Sequence, residues 1–97
     1  MLETNLSEGK ITLAGELHIR FLAELKDVLW QALGTNQELE VDVSRVNDLD
    51  VAGLQLLLAF LRSRQASAPT KLVGTPPAFS RALELTGLKE HFASFMA

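Results

Sequence analysis

The sequence has 97 residues, of which 47% are hydrophobic and 22% charged, and its formal net charge is −3 at pH 7. This composition is typical of one folded domain over residues 1–97, with a single core and no room for a deep cleft between domains. The nine basic residues form no basic run of the kind that binds nucleic acid, and the lack of cysteine excludes disulfides and thiolate metal sites. No signal peptide is readable, and the longest apolar-rich run, residues 54–61, is too short to span a bilayer, so the expected location is the cytoplasm.

The first third of the chain predicts two strands and a helix. Residues 2–6 are a weak strand candidate, and residues 10–15 alternate polar and apolar side chains as a half-buried strand does. From 19 to 33 the period becomes helical, and Gly34 is the expected end. The leucines predicted to share the apolar face are Leu22, Leu25, Leu29 and Leu33. Trp30 lies beside this stripe and is predicted to pack in the core or at its edge.

Residues 38–44 form the clearest strand pattern. Leu39, Val41 and Val43 point to one side, whereas Glu40 and Asp42 point to the other. Ser44 is interpreted as a turn former at the end of the strand. Because a sheet covered on both sides would show a nearly continuous apolar run, the alternation predicts helices on only one face.

A mostly buried helix is predicted to begin directly after Asp50. Its apolar stripe consists of Leu54, Leu57, Leu58 and Leu61. Residues 67–69 break this helix, and residues 70–74 form a short strand.

The C-terminal third predicts two further helices. Thr75 is the expected N-cap of the first, with Pro76 at the first helical position and Gly87 as the stop. A last short helix around Phe92 closes the core. The alternation of strands with helices indicates an α/β fold with parallel strand pairs joined by crossovers.

This order and several short motifs resemble the STAS domain, the family of bacterial anti-sigma factor antagonists. The segments that carry the resemblance are LEVDVS at 39–44, Val46, DVAGL at 50–54, KLVG at 71–74 and LELTGL at 83–88. The resemblance covers nearly the whole chain. It implies a mixed sheet of four to five strands with helices on one face, and a non-enzymatic protein-interaction module without a cofactor.

The helix start at Asp50 is the predicted functional site. In phosphorylatable members of the resembled family the motif reads Asp-Ser-Ser-Gly or Asp-Thr-Ser-Gly, and a partner kinase modifies the serine before glycine. Here Ala52 occupies that position and Val51 precedes it, so the resemblance implies a docking surface without a phosphorylation site. The residues predicted to bind a partner are Asp48, Asp50, Val51, Ala52, Gly53 and Leu54.

Elementary chemistry supports docking at this helix start. A helix N-terminus presents unpaired N–H groups and a partial positive charge, and small side chains let another protein approach closely. Asp50 is predicted to be the N-cap. For Gly53, close helix–sheet packing and access for a partner both remain open.

Other chemistry finds little support in the sequence. His18 and His91 have no partners at metal-ligand spacing, so no metal site is predicted. Glu40 and Asp42 are interpreted as solvated sheet residues rather than an acid/base pair. The single Gly74 before a helix start, with no following lysine, is a poor nucleotide motif.

The predicted role is bacterial signal transduction linked to chemotaxis or two-component systems. Residues 50–57 match the Asp-x-Ala-Gly-Leu-Gln-Leu-Leu pattern of small stand-alone STAS proteins in such systems. The expected partner is a histidine kinase, an anti-sigma-type kinase or a response regulator. The alternative is the STAS subunit that regulates the ATPase of a phospholipid-transporting ABC system, which usually has Thr where this chain has Val51. A third interpretation, from a different functional class, is a small hydrolase or nucleotide-binding protein. The sequence does not support it, because it contains no nucleophile–base pair.

Overall fold

The computed structural model describes residues 1–35 and 37–96, which form a four-stranded sheet with helices packed on it. The strands are β1 (Leu2–Ser7), β2 (Lys10–Leu17), β3 (Leu39–Leu49) and β4 (Thr70–Val73). The helices are α1 (Leu22–Leu33), preceded by a 3-10 turn (Ile19–Phe21), α2 (Val51–Gln65), α3 (Pro77–Thr86) and α4 (Lys89–Ala93). The strands lie in the order β1-β2-β3-β4, with β1 antiparallel to β2 and the other two pairs parallel. The predicted α/β fold and element order are thus confirmed. No helix in the described part of the chain is long and apolar enough to cross a membrane.

The two faces of β3 differ as the alternation predicts. Val41 and Val43 are fully buried in the core, together with Leu39. Glu40 on the opposite face is exposed, and Asp42 is half-buried, with Lys10 of β2 3.5 Å from its carboxylate. This face therefore meets water, and the helices pack on the other side of the sheet.

β3 is longer than predicted. Ser44 lies inside the strand rather than in a turn, because pairing with β2 continues to Leu49. The register of β2 against β3 shifts between Thr12 and Ala14 and again after Gly15, and the two strands stay paired beyond each shift. As a result, β3 runs almost directly into α2, and Asp50 alone separates them.

Trp30 does not pack in the core, so that prediction is wrong. The buried residues of α1 are Leu25, Val28, Leu29 and Ala32. Trp30 follows Leu29 by about 100° around the helix, which turns its side chain to solvent, and it is 71% exposed. Leu33 follows Ala32 by the same angle and is 36% exposed, so it lies at the margin of the predicted apolar face.

The start of α3 lies one residue later than predicted. Pro76, not Thr75, is the N-cap, and no side chain caps this helix. A residue that precedes a proline is disfavoured in the helical region, and Pro76 precedes Pro77. The predicted stop at Gly87 is confirmed by its left-handed conformation, with φ 74°. The last short helix is confirmed as well, with Phe92 fully buried.

Candidate partner-binding site

The candidate site is the surface where β3 passes into α2, and we call it the α2 entrance: residues 48–52 with His18 and Ile19. Asp50 organises it. Its Oδ1 accepts the N–H of Gly53 at 2.9 Å, which confirms the predicted N-cap. Its Oδ2 accepts the N–H of Ile19 at 2.9 Å, and its own N–H donates to the carbonyl of Leu17 at 3.1 Å. Asp50 therefore fastens the start of α2 to the end of β2.

The charge of Asp50 is set by these contacts. Burial raises the pKa of its carboxyl, but the hydrogen bonds from the N–H groups of Ile19 and Gly53 outweigh burial and hold the pKa below the usual value. Each carboxylate oxygen already accepts a backbone N–H. Asp50 is thus an ionised structural anchor rather than a poised general base.

Replacing this anchor has an effect that depends on pH. Asp50→Ala removes both side-chain hydrogen bonds, and we expect it to lower the free energy of unfolding by about 2 kcal/mol at pH 7. The pKa of Asp50 is lower in the folded state than in the unfolded state. The Asp50 carboxylate therefore stabilises the fold fully above its unfolded-state pKa of about 3.9, and this stabilisation is lost as the pH falls through the folded-state pKa. The difference in the free energy of unfolding between the wild type and Asp50→Ala, measured by urea unfolding, should shrink below about pH 4. A difference that stays constant down to pH 2.5 would contradict this account.

Gly53 is required for packing. A Cβ at this position would lie 2.7 Å from the carbonyl carbon of Leu17 and closer still to its oxygen. The same carbonyl accepts the N–H of Asp50, so the end of β2 passes directly against the first turn of α2. Leu54, the next residue, is fully buried. Of the two interpretations of Gly53, the geometry supports packing, and neither Gly53 nor Leu54 offers a partner a side chain to contact.

Apolar side chains surround the Asp50 carboxylate on the outside. Val51 is 48% exposed, Ile19 is 68% exposed, and Ala52 is half-buried. Ile19 is a residue that the sequence analysis missed. Its N–H bonds to Asp50 from 31 positions away, and no local spacing predicts that contact.

The rim of the α2 entrance is a cluster of three polar side chains, Glu16, His18 and Asp48. Nε2 of His18 lies 3.0 Å from Oδ2 of Asp48, and Nδ1 lies 3.5 Å from Oε2 of Glu16. Parallel pairing of β2 with β3 sets Glu16 opposite Asp48 and so creates the cluster, which the sequence analysis also missed. These three side chains are close enough together for a metal ion. The two carboxylates, however, approach different ring nitrogens, which is the arrangement of an imidazole donating to both when protonated.

The remaining candidates lie elsewhere. Ser44 is exposed, and its N–H donates to Oδ1 of Asp42 at 2.9 Å. This bond is the main cause that lowers the pKa of the Asp42 carboxyl. Ser44 approaches Gly74 and lies apart from the α2 entrance. His91 is exposed, with Nδ1 2.8 Å from Nη2 of Arg62.

Similar solved structures identify the class of fold. A structure described as an anti-sigma factor antagonist from Mycobacterium paratuberculosis is 23% identical, with a TM-score of 0.75 over 95% of this chain and 81% of that chain. A sulfate transporter family protein from Wolinella succinogenes is 21% identical, with a TM-score of 0.70 over 90% and 73% of the two chains. The Bacillus cell fate determinant SpoIIAA in its phosphorylated form is 16% identical, with a TM-score of 0.66 over 100% and 89%. The fold is therefore that of the anti-sigma factor antagonists.

A family model identifies the family to which the chain belongs. The model described as "Mlab, STAS domain" matches residues 1–96. This chain belongs to the STAS domain family. A search of curated proteins gave no match.

Proposed function

We propose that this chain is a non-enzymatic protein-interaction domain in bacterial signal transduction and that the α2 entrance is its docking surface. The observation that carries the proposal is the composition of that surface. Val51 and Ile19 are exposed apolar residues beside a carboxylate whose hydrogen bonds are already made. An apolar centre with a charged rim is the usual anatomy of a protein–protein interface.

The same surface disfavours catalysis. Residues 48–54 contain no Ser, Thr, Cys or His that could act as a nucleophile. His18 is the one such side chain in the α2 entrance as defined, and both of its ring nitrogens lie beside carboxylates, of Glu16 and Asp48. Asp50 is committed to the backbone, and Asp48 is paired with His18. Binding is therefore the function that this arrangement supports best, and it needs no cofactor.

The proposed domain lacks the phosphorylation switch of its phosphorylatable relatives. Val51 and Ala52 occupy the motif positions where those relatives carry hydroxyl groups, and neither side chain can accept a phosphoryl group. Intact-mass measurement and phosphopeptide mapping of protein purified from its own host should find no phosphate on residues 48–54. A stoichiometric phosphate on Ser44, the nearest hydroxyl before the motif, would contradict the absence of a switch.

The partner could belong to either of two cellular systems. The DVAGLQLL pattern at 50–57 favours a chemotaxis or two-component protein, with a histidine kinase, an anti-sigma-type kinase or a response regulator as partner. The second candidate is a STAS subunit that regulates the ATPase of a phospholipid-transporting ABC system. The similarity to a sulfate transporter family protein adds only that the same fold occurs in a transporter family. In both settings the same surface would be used.

A paired pull-down tests the docking surface and discriminates the settings. The bait is the wild-type chain or Val51→Asp, in which the new carboxylate lies in the first turn of α2, where the helix dipole tolerates it. We expect the wild type to retain a protein that Val51→Asp loses. Leu85→Asp is the control, because Leu85 is 81% exposed on α3, away from the α2 entrance. Recovery of a kinase or response regulator favours signalling, and recovery of an ABC ATPase favours transport. If Val51→Asp and wild type retained the same proteins in equal amounts, the α2 entrance would not be the docking surface.

A further inference from the structure

A cluster of metal-ligating side chains lies at the rim of the α2 entrance. Glu16, His18 and Asp48 each offer one ligand atom, and these atoms lie within 4.8 Å of one another. The backbone at His18 continues the extended course of β2, with φ −115° and ψ 158°, and side chains two positions apart on an extended chain point to the same face. Asp48 is paired with Glu16 across the two parallel strands. The fold therefore places all three side chains together.

The two closest ligand atoms of the cluster have nearly the spacing of two ligands on one metal ion. Nε2 of His18 lies 3.0 Å from Oδ2 of Asp48. Two atoms bound to one zinc ion at about 2.1 Å in a tetrahedral arrangement lie about 3.4 Å apart. The other oxygen of Asp48, Oδ1, accepts the N–H of Leu49 at 3.0 Å, which orients the carboxylate. A small separation of the two ligand atoms is enough to admit the ion.

The other ring nitrogen of His18 also has the surroundings found in metal sites. Oε2 of Glu16 lies 3.5 Å from Nδ1. A histidine that binds a metal through one ring nitrogen commonly directs the N–H of its other nitrogen to a carboxylate, which fixes the tautomer and the orientation of the ring. Glu16 is in the position of that carboxylate.

A neutral imidazole cannot serve both carboxylates by itself, because it has one N–H and one lone pair. We propose that a zinc ion binds between Nε2 of His18 and Oδ2 of Asp48, while the Nδ1 N–H of His18 is directed to Glu16. Water completes the coordination, since 63% of the Asp48 side chain is exposed. An imidazole combined with a carboxylate suits Zn²⁺, whereas Mg²⁺ and Ca²⁺ prefer oxygen ligands alone.

The zinc site is a property of this chain alone and is additional to the proposed function. Asp48 reaches His18 through the parallel pairing of β2 with β3, so the local spacing considered in the sequence analysis could not reveal the pair. The site is tested without any partner protein. Its failure would leave the docking surface around Val51 untouched, and a failure of docking would leave the zinc site untouched.

Isothermal titration calorimetry with zinc chloride tests the site on protein that carries no polyhistidine tag. We expect the wild type to bind one ion per chain and to give no binding heat with magnesium chloride. His18→Gln should abolish binding, and Asp48→Asn should weaken it at least tenfold, because each removes a ligand. Glu16→Gln should weaken binding by about tenfold, since it removes the charge that orients the ring. Far-ultraviolet circular dichroism verifies that each variant is folded.

His91→Gln is the matched control, because His91 is the only other histidine of the sequence. Its Nδ1 lies 2.8 Å from Nη2 of Arg62, and this cationic neighbour disfavours a metal ion. His91→Gln should bind zinc as the wild type does. In nuclear magnetic resonance spectra of the wild type, zinc should shift the ring nitrogen signals of His18 and leave those of His91 in place.

Several outcomes would overturn the zinc site. One is a wild-type protein that binds no zinc at concentrations up to about 1 mM. Another is equal binding by wild type and His18→Gln, or an equal loss in His91→Gln, either of which would show adventitious binding only. Binding that His18→Gln abolishes but Asp48→Asn leaves unchanged would reduce the site to a lone imidazole and overturn it as well.

Discussion

Gly53→Ala is expected to lower the free energy of unfolding by about 3 kcal/mol, although it adds a single methyl group to a helix. Alanine is the better helix former, so propensity alone would predict a gain of up to about 1 kcal/mol. The new methyl, however, would lie 2.7 Å from the carbonyl carbon of Leu17. That carbonyl also accepts the N–H of Asp50, so neither the end of β2 nor the start of α2 can move without breaking this bond. Urea unfolding monitored by circular dichroism measures the change.

Gly34→Ala is the matched control. Gly34 has a helical conformation with φ −77°, and the nearest atom to a Cβ there is a carbonyl oxygen at the ordinary distance of 3.7 Å. The same chemical change at Gly34 should be neutral or stabilising by about 0.5 kcal/mol. If Gly53→Ala were as stable as Gly34→Ala, the close approach of α2 to β2 would be wrong.

Arg64→Met is the second substitution with a large expected effect. Arg64 is only 1% exposed, and its guanidinium donates to the carbonyls of Thr35 and Gln37 and to the hydroxyl of Thr70. It therefore joins the end of α2 to the connection between α1 and β3. Methionine retains part of the apolar volume but leaves these acceptors unpaired, and we expect a loss of about 3 kcal/mol in the free energy of unfolding.

The control for Arg64 lies on the same helix. Arg62 is exposed, and its guanidinium contacts His91 at the surface. Arg62→Met should change stability by less than about 0.5 kcal/mol. Equal losses for the two variants would mean that the buried network around Arg64 contributes nothing specific.

The fold was largely predictable because its local signals agree. The alternation at 38–44 gave the one-sided sheet, and Asp50 gave the N-cap, since both depend on neighbouring residues along the chain. The left-handed stop at Gly87 is a local signal of the same kind. Where β3 ends was not predictable, because its last residues are held by pairing with a strand whose register shifts.

The site was predictable only in part. The helix start at 50–52 could be found from the sequence, whereas Ile19 and His18 reach it through the end of β2. Contacts between residues about 30 positions apart depend on the parallel pairing of β2 with β3, which leaves no periodic trace. The exposure of Trp30 was missed for a related reason. A tryptophan next to a leucine stripe can lie on either side of the margin, and only the rotation of α1 against the sheet decides which.

The most direct test of the central claim, that the α2 entrance binds a partner, is the affinity of Ala52→Glu for the protein recovered with the wild type. Glutamate in the first turn of a helix is electrostatically favourable, so the variant should keep the thermal stability of the wild type. At the centre of an interface the new carboxylate would be buried without a partner. Titration calorimetry should therefore show affinity reduced more than tenfold, or by about 1.4 kcal/mol. Asp48→Ala, at the rim, should cost less and act partly through the association rate. Leu85→Glu, at an exposed position on α3, should bind as the wild type does. A folded Ala52→Glu protein with unchanged affinity would contradict the claim and direct the search to the exposed sheet face around Glu40.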